Sequence, residues 1–482
     1  MNKTIRQASV FTLLLVVALL VRATWVQFYD SKALADDKLN RRNAIEQYAN
    51  PLGDIIVGGD AVTGSERTKG GDLKYKRTYK DGDLYSSVTG YSSQVYGATQ
   101  LEGIYKDVLD GTDNRLKNPL DTVTNKRADP GDVITTIDPA VQKAAYKSLG
   151  DKKGAAVAVD PKTGKILGMV STPSYDPSDI SGSTDSKEWQ ALLKDKEKPM
   201  VNRALRQPLP PGSTFKLVVA AAALEDGLYG SADTRTDSPN PYTLPGTRTV
   251  LKNESASAPC EDASIRTALQ YSCNNVFAKL AVDLGQDKVK AMAEKMGFNT
   301  EKLDVPVRAS ESVYPSDMDK AQTALTGIGQ FDVTATPLQM SMVTGAIANG
   351  GELVSPHMVS QITDSNGDAL ESFDDADSER VMSEDTASQL QSAMETVVEK
   401  GTGTNAQISG ADVGGKTGTA QHGENNSKTP YAWFTSYAKG SDGKEVAVAV
   451  IVESSDAARS EVSGNGLAAP IAKAMMSAAL TS

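Results

Sequence analysis

Histidine and cysteine are almost missing from this chain. Its 482 residues contain two of each: His357, His422, Cys260 and Cys273. No zinc-type cluster can be assembled from these at metal-ligand spacing. A Ser-His-Asp relay would have to recruit one of two histidines that lie in no motif for it. No metal and no cofactor is therefore expected. Positive charge is also in deficit, with 50 Lys and Arg against 61 Asp and Glu, for a net charge of −11. No basic patch with interleaved aromatics occurs, so nucleic acid is not an expected partner. The remaining composition, 39% hydrophobic and 23% charged, is that of a mostly globular chain. Its length suits two or three domains. No repeat of solenoid period is visible.

Long hydrophobic runs are scarce as well, and the one present is informative. After Lys3 and Arg6, residues 8–21 are apolar except for Ser9 and Thr12, and Trp25, Val26, Phe28 and Tyr29 follow Arg22. Residues 8–28 suffice to cross a bilayer, behind a short tail at 1–7. The aromatics would form an interfacial belt, and Arg22 would snorkel to the headgroups. Cleavage as a signal peptide is the rival reading. The small-residue site Ala33-Leu34-Ala35, however, lies well beyond the apolar run. An uncleaved single-pass anchor is expected.

Residues 29–150 open on a charged, helix-like stalk over 29–45. They continue as a small, loop-rich α+β domain that ends in "DVITTIDPAVQKAAYKSL". Residues 151–482 read as one α/β domain. "GAAVAVDPKTGKILGMVS" predicts two strands about an Asp-Pro-Lys-Thr-Gly turn. Helices are predicted around 213–227, 263–295, 337–349, 384–400 and 467–480, and strands at 431–437 and 446–452. Strands at both ends with helices between predict a sheet closed by its terminal strands.

"PPGSTFKLVVAAAALEDG", residues 210–227, carries the first chemical signal. Pro210-Pro211-Gly212 breaks the preceding structure, and a small, apolar helix follows. Ser213 and Lys216 then share a face at the positive end of that helix. A lysine at its ordinary pKa of about 10.4 is no base. Burial and a second cation would lower it. "VGGKTGTAQ", residues 413–421, is the candidate source of that cation. On a strand, Lys416 and Gly418 share one face, and Thr417 and Thr419 the other. Such an edge suits a carboxylate and a strand-like peptide, with the small Gly418 letting a substrate backbone lie close. "LQYSCNNVFAKLA" adds Ser272 and Asn274 within an apolar helical stretch; either is also a natural helix cap. His422, in a predicted turn after the strand, is read as a solvated loop residue rather than a catalytic one.

The bare spacings are cheap, since Ser436 and Ser441 also precede a lysine by three residues and Lys162-Thr163-Gly164 repeats the triplet. The order is not. Ser213-x-x-Lys216, Ser272-x-Asn274 and Lys416-Thr-Gly418 follow one another 59 and 144 residues apart. That succession is shared by penicillin-binding proteins and class A β-lactamases, with Cys273 here in place of Asp. With "YANPLGDIIVGG", "LEGIYKDVLDG", "TTIDPAVQ", "NRAL" (202–205) and "AWFTSYA", the whole chain resembles class B penicillin-binding proteins, in particular an actinobacterial branch. One departure is Leu52-Gly53-Asp54, where many members have an Arg-Gly pair and a following Asp-Arg.

The resemblance implies a non-catalytic pedestal (dimerisation-type) domain over 29–150. It also implies a β-lactamase/transpeptidase-like domain over 151–482, an antiparallel sheet flanked by helices. It implies a peptidoglycan D,D-transpeptidase, acylated on Ser213 by D-alanyl-D-alanine stem peptides and by β-lactams. Lys216 would be the base and Ser272 a proton relay. Asn274 would hold Lys216 and substrate, Lys416 would keep the site electropositive, Thr417 and Thr419 would bind the terminal carboxylate, and Gly418 would lie close under the substrate. The amides of Ser213 and Thr419 would form the oxyanion hole. The catalytic domain would lie outside the cell. Glycan strands would come from a membrane polymerase of the shape-elongation-division-sporulation (SEDS) type, since the stretch before residue 150 is short for a glycosyltransferase. In that oxidising compartment Cys260 and Cys273 would form a disulfide; two buried thiols are the alternative. A D,D-carboxypeptidase, a β-lactamase-like hydrolase, or a non-catalytic β-lactam sensor would share these motifs.

Overall fold

In the computed structural model, the residues described are 3–30, 41–117, 127–373, 376–421, 423 and 427–482. Most of the proposed stalk, and His422, lie outside them. The N-terminal helix Lys3–Trp25 continues as a π-turn through Asp30 and buries none of its residues. It starts five residues before the span expected at 8–28, because nothing in 3–7 breaks a helix. Among the described residues, the segment Lys3–Tyr29 is the one helix long and apolar enough to cross a membrane.

The C-terminal domain is built on a five-stranded antiparallel sheet. Its strands, in spatial order, are Ala411–Ala420, Tyr431–Gly440, Glu445–Ser454, Lys153–Val159 and Ile166–Thr172. The terminal strands do close the sheet. Both faces are covered, so the strands are apolar almost throughout rather than alternating. Along Glu445–Ser454, Val446, Val448, Val450 and Val452 enter one core while Ala449 and Ile451 enter the other. Helices Pro139–Leu149 and Ala469–Thr481 pack on the first face. Helix Pro337–Ala348 covers the second, with Lys216–Glu225 and Glu384–Lys400 beside it.

A boundary at residue 150 is crossed twice. Helix Pro139–Leu149, capped by the Asp138 side chain on the amides of Ala140 and Val141, presents Val141, Ala145 and Leu149 to the C-terminal core. Conversely, the pedestal sheet has the order Ala369–Ser372, Val359–Thr363, Asp132–Thr135, Ile55–Val57, Asp60–Ala61. Two of its five strands come from the later part of the chain. Strand Asp132–Thr135 pairs parallel with Ile55–Val57 and antiparallel with Val359–Thr363, which leaves no free edge between the segments.

Leu52-Gly53-Asp54 packs beside a buried ion pair. Arg77, on strand Tyr75–Tyr79, is fully buried. Its Nε donates to Glu102 at 2.6 Å, and its Nη1 donates to the Gly53 carbonyl at 2.7 Å and to Asp54 at 3.5 Å. Glu102 is itself 2% exposed. Removing one member of such a pair leaves a desolvated charge. Arg77→Met should therefore cost about 3–5 kcal/mol of pedestal stability. The double variant Arg77→Met/Glu102→Leu should recover most of it. Thermal unfolding of the three proteins checks this; equal losses in the single and double variants would refute it.

Candidate active site

Pro210-Pro211-Gly212 does end the preceding segment, but Ser213 does not begin an α-helix. It lies in a 3-10 turn, Gly212–Phe215, and the α-helix starts at Lys216. Side chains three apart eclipse in a 3-10 turn, so Ser213 and Lys216 still share a face. Gly212 has φ 54°, in the left-handed region, and its amide donates to the Gly329 carbonyl at 3.0 Å. A side chain at Gly329 would start 2.0 Å from the Gly212 carbonyl oxygen, so this loop fixes the turn by backbone contact. The Ser213 amide donates to no backbone acceptor among the described residues, as an oxyanion donor requires.

The lysine is held by the second motif. Lys216 Nζ lies 2.8 Å from the Ser272 carbonyl oxygen, 2.8 Å from Asn274 Oδ1 and 3.2 Å from Ser272 Oγ. No hydrogen bond joins it to Ser213 Oγ among the described residues; such contacts commonly tighten only with substrate bound. Lys416 Nζ reaches the other side of Ser272 Oγ at 2.9 Å and also donates to the Thr417 carbonyl at 2.9 Å. Both lysines are completely buried.

Ser272 is thus a hydroxyl wedged between two amines. The helix-cap reading of Ser272 and Asn274 is excluded by geometry. Helix Asn274–Leu284 begins after Cys273, and its first amides are capped from afar. Asn253 Oδ1 accepts from the Asn274 amide at 2.6 Å and from the Asn275 amide at 3.4 Å. Ser272, at φ 58°, instead turns its hydroxyl to the lysines. A disulfide joins Cys260 to Cys273 and so ties the preceding loop to this turn.

Electrostatics follow from that burial. Desolvation pulls Lys416 down to about 7, opposed by the charge of Glu254. Desolvation also pulls Lys216 well below the usual lysine range, and the charge of Lys416 pushes it further the same way. Two ammonium groups sharing one buried hydroxyl cannot both keep their protons cheaply. The second amine expected from the strand lies within reach of the same hydroxyl.

Gly418 and Thr417 also make contacts within the protein. Gly418 packs against the nucleophile turn. A Cβ there would lie 2.9 Å from the Pro211 carbonyl oxygen, 2.9 Å from Trp433 Cβ and 3.0 Å from Thr214 Cγ2. The missing side chain lets the nucleophile turn sit against the strand. Gly418→Ala should push that turn aside and lower the penicillin acylation rate about 10²-fold. Stopped-flow acylation measures it; a wild-type rate would mean the gap has slack. Thr417, in turn, shares a 2.9 Å hydroxyl contact with Thr402, so its oxygen is already engaged from one side. Thr419 remains partly exposed on an edge strand.

Asn253, Thr402 and Gly329 are the residues that sequence reading missed. None lies in a periodic pattern or near a motif, and each acts through a contact formed only by packing.

A serine in a rigid turn beside a buried lysine–serine–lysine array is the geometry of the active-serine acyltransferase class. The penicillin-binding protein transpeptidase domain family matches residues 154–477, and the penicillin-binding protein A dimerisation domain family matches 52–133. The chain is 36% identical to peptidoglycan D,D-transpeptidase PbpA of Mycolicibacterium smegmatis, across all of this chain and 99% of that one. It is 35% identical to its namesake in Mycobacterium tuberculosis, with the same coverage. Penicillin-binding protein A of M. tuberculosis, solved as a ceftriaxone acyl-enzyme, superposes with a TM-score of 0.83 at 34% identity, over 90% of this chain and all of that one. Its penicillin G acyl-enzyme gives 0.81 at 34% identity, over 89% and 100%. The chain belongs to the class B penicillin-binding proteins.

Proposed function

We propose that this chain is a membrane-anchored peptidoglycan D,D-transpeptidase with its catalytic domain outside the cell and Ser213 as nucleophile. The observation that carries this reading is the buried Lys216–Ser272–Lys416 array, which sets two amines within reach of one hydroxyl. Neutral Lys216 takes the Ser213 proton as Oγ attacks the penultimate D-alanine carbonyl of a stem peptide. The amides of Ser213 and Thr419 receive the developing oxyanion. Ser272 passes a proton from the lysine pair to the leaving amine, the C–N bond breaks, and D-alanine departs. An amine of a neighbouring stem peptide then attacks the ester carbonyl, and Lys216 takes its proton and returns it to Ser213 Oγ as the ester C–O bond breaks. Lys416, Thr417 and Thr419 bind the donor's terminal carboxylate. The glycan strands come from a partner, for which a SEDS-type membrane polymerase is the fitting class.

Acyl transfer to an amine distinguishes this reading from a carboxypeptidase or a β-lactamase. Incubation with a D-alanyl-D-alanine stem peptide and a free D-amino acid should give the exchanged peptide in excess over the hydrolysed one. Intact mass should show a stable one-to-one benzylpenicillin adduct that Ser213→Ala lacks. Hydrolysis alone would favour the carboxypeptidase, rapid loss of the adduct the β-lactamase, and no adduct a sensor or scaffold.

A further inference from the structure

The chain leaves the hairpin of strands Tyr242–Thr243 and Val250–Leu251 at Lys252, and at Cys260 the disulfide ties it to Cys273. Just past the hairpin, Lys252 and Asn253 form a strap against the turn that carries Ser272 and Asn274. The acyl-transfer mechanism gives neither residue a role. Asn253 nevertheless uses both polar atoms of its side chain. Its Oδ1 accepts from the amides of Asn274, at 2.6 Å, and Asn275, at 3.4 Å. Its Nδ2 donates to Asn275 Oδ1 at 3.0 Å and to Asn240 Oδ1 at 3.3 Å. Asn275 is completely buried, and its own Nδ2 is taken up by the carbonyls of Cys260 and Ser238 at 2.7 and 3.1 Å. Its oxygen must then face Asn253, which leaves the Asn253 amide one orientation.

A helix start is ordinarily capped by its own N-cap residue. Here that residue, Cys273, makes no side-chain cap and is held in the disulfide, while Ser272 turns its hydroxyl to the two lysines. The cap is brought in instead by Asn253, from 21 residues away. The Lys252 carbonyl acts on the next link. It accepts from Asn274 Nδ2 at 2.8 Å, which leaves Asn274 Oδ1 to accept from Lys216 Nζ at 2.8 Å. A flipped Asn274 amide would set its NH2 group against the amine and its oxygen against a carbonyl. The strap thus decides which end of Asn274 meets the base.

We propose that the Lys252-Asn253 strap is a positioning device for the general base. Asn253 fixes the first turn of helix Asn274–Leu284, the Lys252 carbonyl orients Asn274, and Asn274 together with the Ser272 carbonyl holds the Lys216 amine in place. Neither strap residue touches a reacting atom. The charged groups that act on Lys216 are Lys416, on strand Ala411–Ala420, and Glu254, the residue after the strap; the Phe277 ring centre lies 5.5 Å from the amine. Acceptors favour the protonated form of an amine, so loosening Asn274 should lower the pKa of Lys216 further. It should also misplace the base, which costs rate even where the amine is neutral. The inference rests on Lys216 as base, which Lys216→Met tests by itself.

The experiment is stopped-flow acylation of the full chain by benzylpenicillin, in detergent micelles from pH 5 to 9, on wild type, Asn253→Ala, Asn253→Asp and Arg77→Met. Intact mass gives the fraction of each protein that forms the adduct, and rates are read on that fraction. Asn253→Ala should lower the maximal rate about 10–100-fold and move the rising limb to lower pH. Asn253→Asp keeps an acceptor for the two helix amides and adds a negative charge near the amine. Its rising limb should move the opposite way, to higher pH. Arg77→Met weakens the pedestal without touching the strap, so its reactive fraction should keep the wild-type profile. That comparison separates positioning from loss of stability. A wild-type profile for Asn253→Ala, limbs that move in the same direction in the two Asn253 variants, or the Asn253→Ala changes reproduced by Arg77→Met would each overturn the proposal. A wild-type rate in Lys216→Met would overturn the base and the strap's role with it, whereas the other outcomes leave the base standing.

Discussion

Lys216→Met is expected to slow acylation of Ser213 by benzylpenicillin by about 10²–10⁴-fold, the range of a lost general base, while the protein stays folded. No carboxylate or histidine among the described residues is hydrogen-bonded to Lys216, so nothing nearby replaces it as proton acceptor. Methionine matches the lysine stem in shape and suits a fully buried position. The wild-type profile carries the complementary signature. Burial, and then the charge of Lys416, depress Lys216 well below the usual lysine range. The amine is therefore neutral at a pH where an ordinary lysine is not. Acylation should rise as pH climbs through this lowered value. It should fall again as Lys416, pulled down to about 7, gives up the charge that holds substrate. Stopped-flow acylation across pH 5 to 9 measures both limbs. A profile flat through this range, or a Lys216→Met rate near that of wild type, would remove Lys216 from the role of base.

Lys416→Met is expected to move activity and stability in opposite directions. Acylation should drop about 10²–10³-fold, as for other losses of a fixed charge or donor at a developing anion. The rising limb of the profile should shift to higher pH, because the cation that depresses Lys216 is gone. The melting temperature should rise. In the unfolded chain this lysine holds its proton up to about pH 10.4; in the folded one only to about 7. Between these values the unfolded state binds more protons, so wild-type stability climbs with pH. The destabilisation is full below about 7 and fades toward the unfolded value. The gain from Lys416→Met should therefore be largest at pH 6 and shrink by pH 9, at about 2–4 °C for each kcal/mol relieved. Melting curves at the two pH values check it. A lower melting temperature at pH 6, with the kinetic limb unmoved, would show that the two amines do not sense one another. The site would then be one more case of stability given up for function.

Several parts of this molecule are legible in its sequence alone. The apolar run at the N-terminus, the Pro-Pro-Gly break before Ser213, the Asp-Pro start of helix Pro139–Leu149 and the apolar strands at 431–440 and 445–454 are local matters. Each depends on what a residue's near neighbours allow, so composition and period reveal it. The succession of the three motifs identified the chemistry for the same reason: each motif is short enough to keep its geometry within one turn or one strand. What tertiary structure alone decided is how those pieces meet. Strands Val359–Thr363 and Ala369–Ser372 leave the domain that surrounds them in sequence and complete the pedestal sheet. Asn253 caps a helix that begins 21 residues later, and the nucleophile turn packs on Gly418. Ser213 and Lys216 share a face by local spacing, yet Lys216 is held by Ser272 and Asn274, 56 and 58 residues away. Lys416, 144 residues beyond Ser272, adds its charge to burial in lowering the pKa of Lys216. A pKa is set by the water removed and the charges brought near, and both come from packing across the whole chain, which no local pattern records.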